Sequence, residues 1–188
     1  MDQLLALDRM LFLFFNGSGN SLFDNFFLLL SHPLTNGVVY FLAWLFLIQK
    51  LSWKSAALIF MATLLLILIT DQTTNLAKFS FARLRPCYDP DLQTFVRLVK
   101  ASCGGQYSFF SGHASNSFAL AVFFGGFFQS IHRYVGFFFL GLASFIAYSR
   151  IYLGVHFPLD ILVGALVGSG FGKSAYLLFT KFISLEYR

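Results

Sequence analysis

Charge is scarce in this chain: Asp, Glu, Lys and Arg together make up 11% of its 188 residues. That excludes a disordered acidic or basic tail and a mostly solvated helical surface, both of which need far more charge. Cysteine is held to two positions, Cys87 and Cys103, and neither lies in a metal-type spacing. The start, Met1-Asp2-Gln3, lacks the basic n-region of a cleavable signal peptide, and no small-residue cleavage site follows the first apolar run. The first true span is therefore expected to act as an uncleaved insertion signal. The basic residues leave a net charge of +5 but do not run along a soluble basic face. Nucleic acid is thus not an expected partner, whereas anionic lipid headgroups or an anionic substrate are.

What the chain has in excess is apolar surface. Hydrophobic residues make up 57% of it, with 27 phenylalanines, against about 45–50% in a soluble domain. The excess is concentrated in runs. Residues 35–49, 55–70, 114–129, 134–148 and 159–180 read as five membrane spans. Two shorter pieces, 2–15 and 21–31, are separated by Asn16-Gly17-Ser18-Gly19-Asn20. They fall short of the ~20 residues a span needs and read as interfacial helices, or as one irregular sixth span. The expectation is a single all-α domain over residues 1–188, a polytopic membrane helix bundle. Gly164, Gly168, Gly170 and Gly172 in the last run suit close helix packing.

Loop charges orient the bundle. Lys50 and Lys54, then Arg133, then Lys181 and Arg188 fall in alternate connections, and the positive-inside rule places these in the cytoplasm. Segments 72–113 and 149–158 then face outward. The first of them carries both cysteines. In an oxidising compartment these can pair; otherwise they stay two free thiols.

Three polar stretches lie on the outward side. Lys78 and Arg85 are seven residues apart, two helical turns, so they share a face if the helix runs on to Pro86. Either cation alone could simply snorkel to headgroups, but a phosphate needs several donors around it, and arginine supplies a planar fork. Ser111-Gly112-His113 precedes an apolar run, and a helix start there leaves backbone N–H groups free to meet an anion; a plain N-cap with an incidental histidine is the alternative. In the third stretch His156 and Asp160 are four apart, Pro158 suits a helix's first turn, and Arg150 adds a cation. A carboxylate on one imidazole nitrogen fixes the tautomer and leaves the other nitrogen free to attack. The remaining histidines, His32 and His132, fall elsewhere, so no metal site and no cofactor are expected.

Taken together, Lys-x6-Arg-Pro (Lys78 to Pro86), Ser-Gly-His (Ser111 to His113) and Ser-Arg-x5-His-x3-Asp (Ser149 to Asp160) resemble the phosphatidic acid phosphatase type 2 family, whose wider superfamily includes vanadium haloperoxidases. One departure is that Phe110 stands where the family's second motif begins with proline. The resemblance implies a metal-independent phosphatase acting on a lipid phosphate through a phosphohistidine. On that basis His156 is the nucleophile, Asp160 orients it, and His113 is the general acid. Lys78, Arg85, Ser111, Gly112 and Arg150 hold the phosphate oxygens. The family acts on phosphatidic acid, phosphatidylglycerol phosphate, undecaprenyl pyrophosphate or lipid A, and the implied setting is a bacterial inner membrane with the site facing the periplasm or cell exterior. The same motifs would serve a lipid-to-lipid phosphotransferase. A transporter or a non-catalytic lipid-binding protein fits less well: charges gather at the span ends rather than in mid-membrane, and every motif residue is present.

Overall fold

The computed structural model describes residues 2–129 and 132–182. Its regular elements are α1 (Asp2–Gly17), α2 (Ser21–Leu30), α3 (Pro33–Ile48), α4 (Trp53–Phe81), α5 (Gly112–Gln129), α6 (Val135–Tyr152) and α7 (Pro158–Phe179), with one 3₁₀ turn at Pro86–Tyr88. Among the described residues there is no named strand, only an isolated antiparallel bridge between Leu84 and Tyr107. Arg188 and the rest of the tail beyond Phe182 lie outside the described residues.

Among the described residues three helices, α4, α6 and α7, are long and apolar enough to cross a membrane. A fourth such unit is the pair α2 and α3, bent by 54° at its break. The break follows from local chemistry. Pro33 at N1 cannot continue α2, and His32 caps α3 by accepting the Leu34 N–H on Nδ1 at 3.2 Å. Pairing α2 with α3, rather than with α1, differs from the sequence expectation, which joined the first two short helices as the alternative to interfacial pieces.

The central helix is α5, which touches α3, α4, α6 and α7. Eleven of its 18 residues are buried, and so it carries Ser115, Asn116 and Ser117 without exposing them to lipid. Its closest partner is α7. A Cβ built on Gly168 would stand 2.1 Å from the Ser115 carbonyl oxygen, and one on Gly164 would stand 2.6 Å from that of Ser111. Only glycine lets these backbones meet. Gly170 is different: nothing lies within 4 Å of its Cβ position, so it is no part of the seam that the sequence suggested. Gly168→Leu is therefore expected to lower the thermal midpoint in detergent through overpacking of roughly 1–3 kcal/mol or more, and Gly170→Leu to leave it in place. Equal midpoints for the two variants would refute the seam.

The chain direction puts one set of ends together. α4 and α6 finish where α5 and α7 begin. All three motifs lie at that end.

Candidate active site

Lys78 sits on the last turns of α4, but the helix stops sooner than the sequence implied. Ala82 takes a left-handed conformation, φ 46°, and its N–H returns to the Lys78 carbonyl. That is a helix C-cap usually given to glycine. The expected continuous helix to Pro86 is thus incorrect. Residues 83–85 are instead drawn into an extended pairing, in which Arg85 N–H donates to Gln106 O at 3.1 Å and Ser108 N–H to Arg83 O at 2.8 Å. Lys78 and Arg85 still meet, because both reach the same cavity.

Arg85 is buried and held from below. Its Nη1 donates to the Cys103 carbonyl at 2.7 Å and its Nε to the Tyr107 carbonyl at 3.2 Å. Cys103 is itself tied to Cys87 by a disulfide with Cα atoms 6.3 Å apart. The bond thus braces the carbonyl that aims the guanidinium. In the chain-entropy model closing a loop of this length restricts the unfolded chain by roughly 3 kcal/mol.

At the start of α5, Ser111 is fully buried. Its hydroxyl caps the Ala114 N–H at 3.4 Å, and its own N–H donates to the Asp160 carbonyl at 3.0 Å. It lies behind the cavity, whereas Gly112 and His113 line it. The Gly112 and His113 N–H groups, in the first turn, have no acceptor among the described residues, and the positive end of the helix dipole points the same way. His113 Nε2 stands 3.1 Å from the Ser31 carbonyl. A carbonyl only accepts, so this nitrogen carries hydrogen, which leaves Nδ1 as the nitrogen that can take up and deliver a proton.

The third motif joins the end of α6 to α7. Gly154 adopts φ +82° in this turn, and a Cβ there would stand 2.8 Å from the Arg97 carbonyl. His156 Nδ1 lies 3.4 Å from Asp160 Oδ2, which also accepts the Phe157 N–H at 2.9 Å. With Nδ1 committed to a carboxylate, Nε2 is the nitrogen left with a lone pair. His156 is 2% exposed and Asp160 is 0% exposed, so the imidazole forms the cavity wall and the carboxylate stands behind it. Burial, then the charges of Arg150, Arg85 and Lys78, hold the His156 imidazole well below its usual range. Arg150 donates Nη1 to the Ser31 hydroxyl and leaves a buried Nε without a partner.

Sequence reasoning missed two supports. One is Ser31, at the end of α2, whose carbonyl meets His113 and whose hydroxyl meets Arg150. Its only sequence signal was its place at a helix break. The other is Arg83, which bridges Asp160 Oδ1 at 2.8 Å and Asp8 Oδ2 at 2.6 Å, with its guanidinium 4.1 Å over the Phe157 ring. Asp8, 4% exposed on α1, also accepts the Leu159 N–H at 2.8 Å. A buried aspartate in an amphipathic first helix was a visible oddity, but its partner is 75 residues away.

The cavity so formed measures about 670 Å³. One end holds Lys78, Arg85, Arg150, His113 and His156; the other, between α3 and α4, is walled by Tyr40, Phe41, Trp44 and Phe60. Cations and a held imidazole at one end of an apolar slot suit an amphiphile with an anionic head. The class that this fold and site define is an integral-membrane phosphatase.

Comparison with known proteins gives the same class. The PAP2 superfamily model matches residues 56–184. A lipid A 4'-phosphatase of Porphyromonas gingivalis is 37% identical over 180 residues, covering 95% of this chain and 75% of that protein. A lipid A 4'-phosphatase of Bacteroides thetaiotaomicron is 33% identical over 174 residues, covering 92% of this chain and 76% of that protein. Among solved structures, Aquifex aeolicus LpxE superposes with a TM-score of 0.64 at 26% identity, over 92% of this chain and 93% of that one. A PAP2-type phosphatidylglycerolphosphate phosphatase from Bacillus subtilis shares the fold, with a TM-score of 0.68 at 19% identity, over 97% of this chain and 87% of that one. The chain belongs to the PAP2 superfamily, and it is a membrane lipid phosphatase.

Proposed function

We propose that this phosphatase removes a phosphate from a glycolipid of the lipid A type, with His156 as nucleophile and His113 as general acid. The observation that carries the reading is the imidazole of His156, braced by Asp160 and walled into the same cavity as three cations. The likeness to two lipid A 4'-phosphatases supports the substrate. In the first step His156 Nε2 forms a bond to phosphorus as the bond to the lipid oxygen breaks, and His113 delivers the proton that oxygen needs. Lys78, Arg85, Arg150 and the N–H groups of Gly112 and His113 take up the charge on the phosphoryl oxygens. Ser111 contributes by capping α5 and so aiming those N–H groups. Water then cleaves the phosphohistidine and releases inorganic phosphate. Purified protein incubated with lipid A should yield free phosphate and a lipid lighter by one phosphate on mass spectrometry. Intact lipid A, or phosphate moved to a second lipid without release, would refute this.

Asp8, Arg83 and Asp160 form a charge relay behind the nucleophile in this reading. Arg83 draws charge from Asp160, so Arg83→Gln should let His156 hold its proton more tightly and move the acid limb of kcat/KM up by about half to one pH unit. Asp8→Asn leaves Arg83 wholly to Asp160 and should move that limb down. Shifts in the same direction would show that the relay is only a brace.

We read α3 to α7 as five spans, with α5 screened from lipid by its neighbours, and place the protein in a bacterial inner membrane with the site outward. Lys50, Lys54 and Lys181 at the end opposite the motifs support that orientation, as does a disulfide beside Arg85, since such bonds persist in oxidising compartments. In intact cells an impermeant thiol reagent should label Gln93→Cys and spare Ser52→Cys in a background lacking Cys87 and Cys103. The reverse pattern would invert the topology.

A further inference from the structure

Between the phosphate end of the cavity and its apolar end lies a stretch that the hydrolysis does not use. The apolar run of α4 closes at Thr70, and Lys78 follows eight residues later, ~12 Å along the helix axis. The cavity wall over that rise is polar. It presents Asp71, Thr74 and Asn75 from α4 and Asn116 from α5.

These groups are only partly satisfied by the protein. Asn116 Nδ2 donates to Asp71 Oδ1 at 2.7 Å, and Asn116 Oδ1 accepts from the Thr70 hydroxyl. Asp71 Oδ2 has no partner among the described residues, and neither has the Asn75 amide. Thr74 is 2% exposed, and its hydroxyl is buried without a hydrogen bond. Asp71 and Asn75 are exposed, so their free positions stand open to a ligand, whereas the buried Thr74 hydroxyl is an unmet polar group whose burial costs free energy.

The geometry points to a second subsite: we propose that Asp71, Asn75 and Asn116, with the Thr74 hydroxyl, bind hydroxyl and amide groups of the substrate headgroup and so select a phosphorylated glycolipid over phosphatidic acid. This rests on the phosphatase reading above and adds its specificity. Asp71 accepts from a sugar hydroxyl or an N-acyl N–H. The Asn75 amide serves either polarity. Phosphatidic acid joins its phosphate to the acyl esters through glycerol alone. It carries neither hydroxyl nor amide to meet these groups, and it brings apolar chain against them. A sugar fills the polar rise and lets acyl chains begin beside Tyr40 and Trp44.

The test is the ratio of kcat/KM for lipid A to that for dioleoyl phosphatidic acid, measured in the same detergent micelles. Wild-type protein should favour lipid A. Asp71→Ala should reduce the ratio roughly 10–100-fold, the worth of a hydrogen bond to a charged group. Asn75→Ala has no hydrogen bond to lose among the described residues and should reduce it several-fold. Loss of the α4–α5 tether alone would depress both substrates together and leave the ratio fixed, and that result in both variants overturns the proposal. Wild-type protein that cleaves phosphatidic acid but spares lipid A also overturns it, while leaving a lipid phosphatase in place. Phosphate release from neither lipid overturns the phosphatase reading itself.

Discussion

His156→Ala is expected to abolish turnover and, with it, any phosphate trapped on the protein. Rapid-quench experiments with a labelled lipid phosphate should show transient label on wild-type protein and none on this variant. Among the described residues lining the cavity, the imidazole is the one group placed to attack that also has an orienting carboxylate, at 3.4 Å on Nδ1, with the Phe157 N–H fixing the same carboxylate oxygen at 2.9 Å. Asp160→Asn should keep the fold and lose most activity, because an amide no longer enforces the tautomer with a lone pair on Nε2. Burial and the cations Arg150, Arg85 and Lys78 hold His156 below the histidine range. The neutral nucleophile therefore persists as pH falls, and the acid limb of kcat/KM should lie below the usual value of about 6.5. Asp160, Lys78, Arg85, Arg150 and His113 are the charged and titratable groups around it from the neighbouring elements. Label that survives in His156→Ala would move the nucleophile elsewhere.

The second large effect separates the two histidines by leaving group. His113→Ala should lose roughly 10²–10⁴-fold in rate on a lipid phosphate, the worth of a general acid. On an activated aryl phosphate, whose oxygen leaves without a proton, the loss should be far smaller. Arg85→Ala and Arg150→Ala should be severe on both, about 10²–10³-fold, since they stabilise charge on the phosphoryl oxygens whatever departs. Arg150→Ala carries an added loss. It frees the Ser31 hydroxyl, and Ser31 also positions His113 through its carbonyl. Equal losses for His113→Ala on the two substrates would remove it from the acid role.

The sequence by itself determined the chemistry. Spacing placed Asp160 in the first turn of a helix opening at Pro158, four residues after His156, so a local turn is enough to bring carboxylate and imidazole together. The apolar runs determined the all-helical membrane bundle in the same way, since lipid forces backbone groups to bond within a segment. Only the tertiary structure decided how the three motifs close on one cavity. Arg85 reaches it from an extended loop, not from the helix that its spacing with Lys78 suggested, because Ala82 ends α4 and residues 83–85 pair with 106–108. Asp8 stood out in sequence only as a charge in an apolar helix and Ser31 only as a helix end, and their roles come from partners 75 and 82 positions away. α5 shows the same limit from the other side. Its apolar run, residues 114–129, suggested a span, yet its first turns carry Ser115, Asn116 and Ser117, which the neighbouring helices screen. Periodicity reports what a segment prefers alone, whereas long-range hydrogen bonds and the α5–α7 glycine seam depend on which helices the chain brings together.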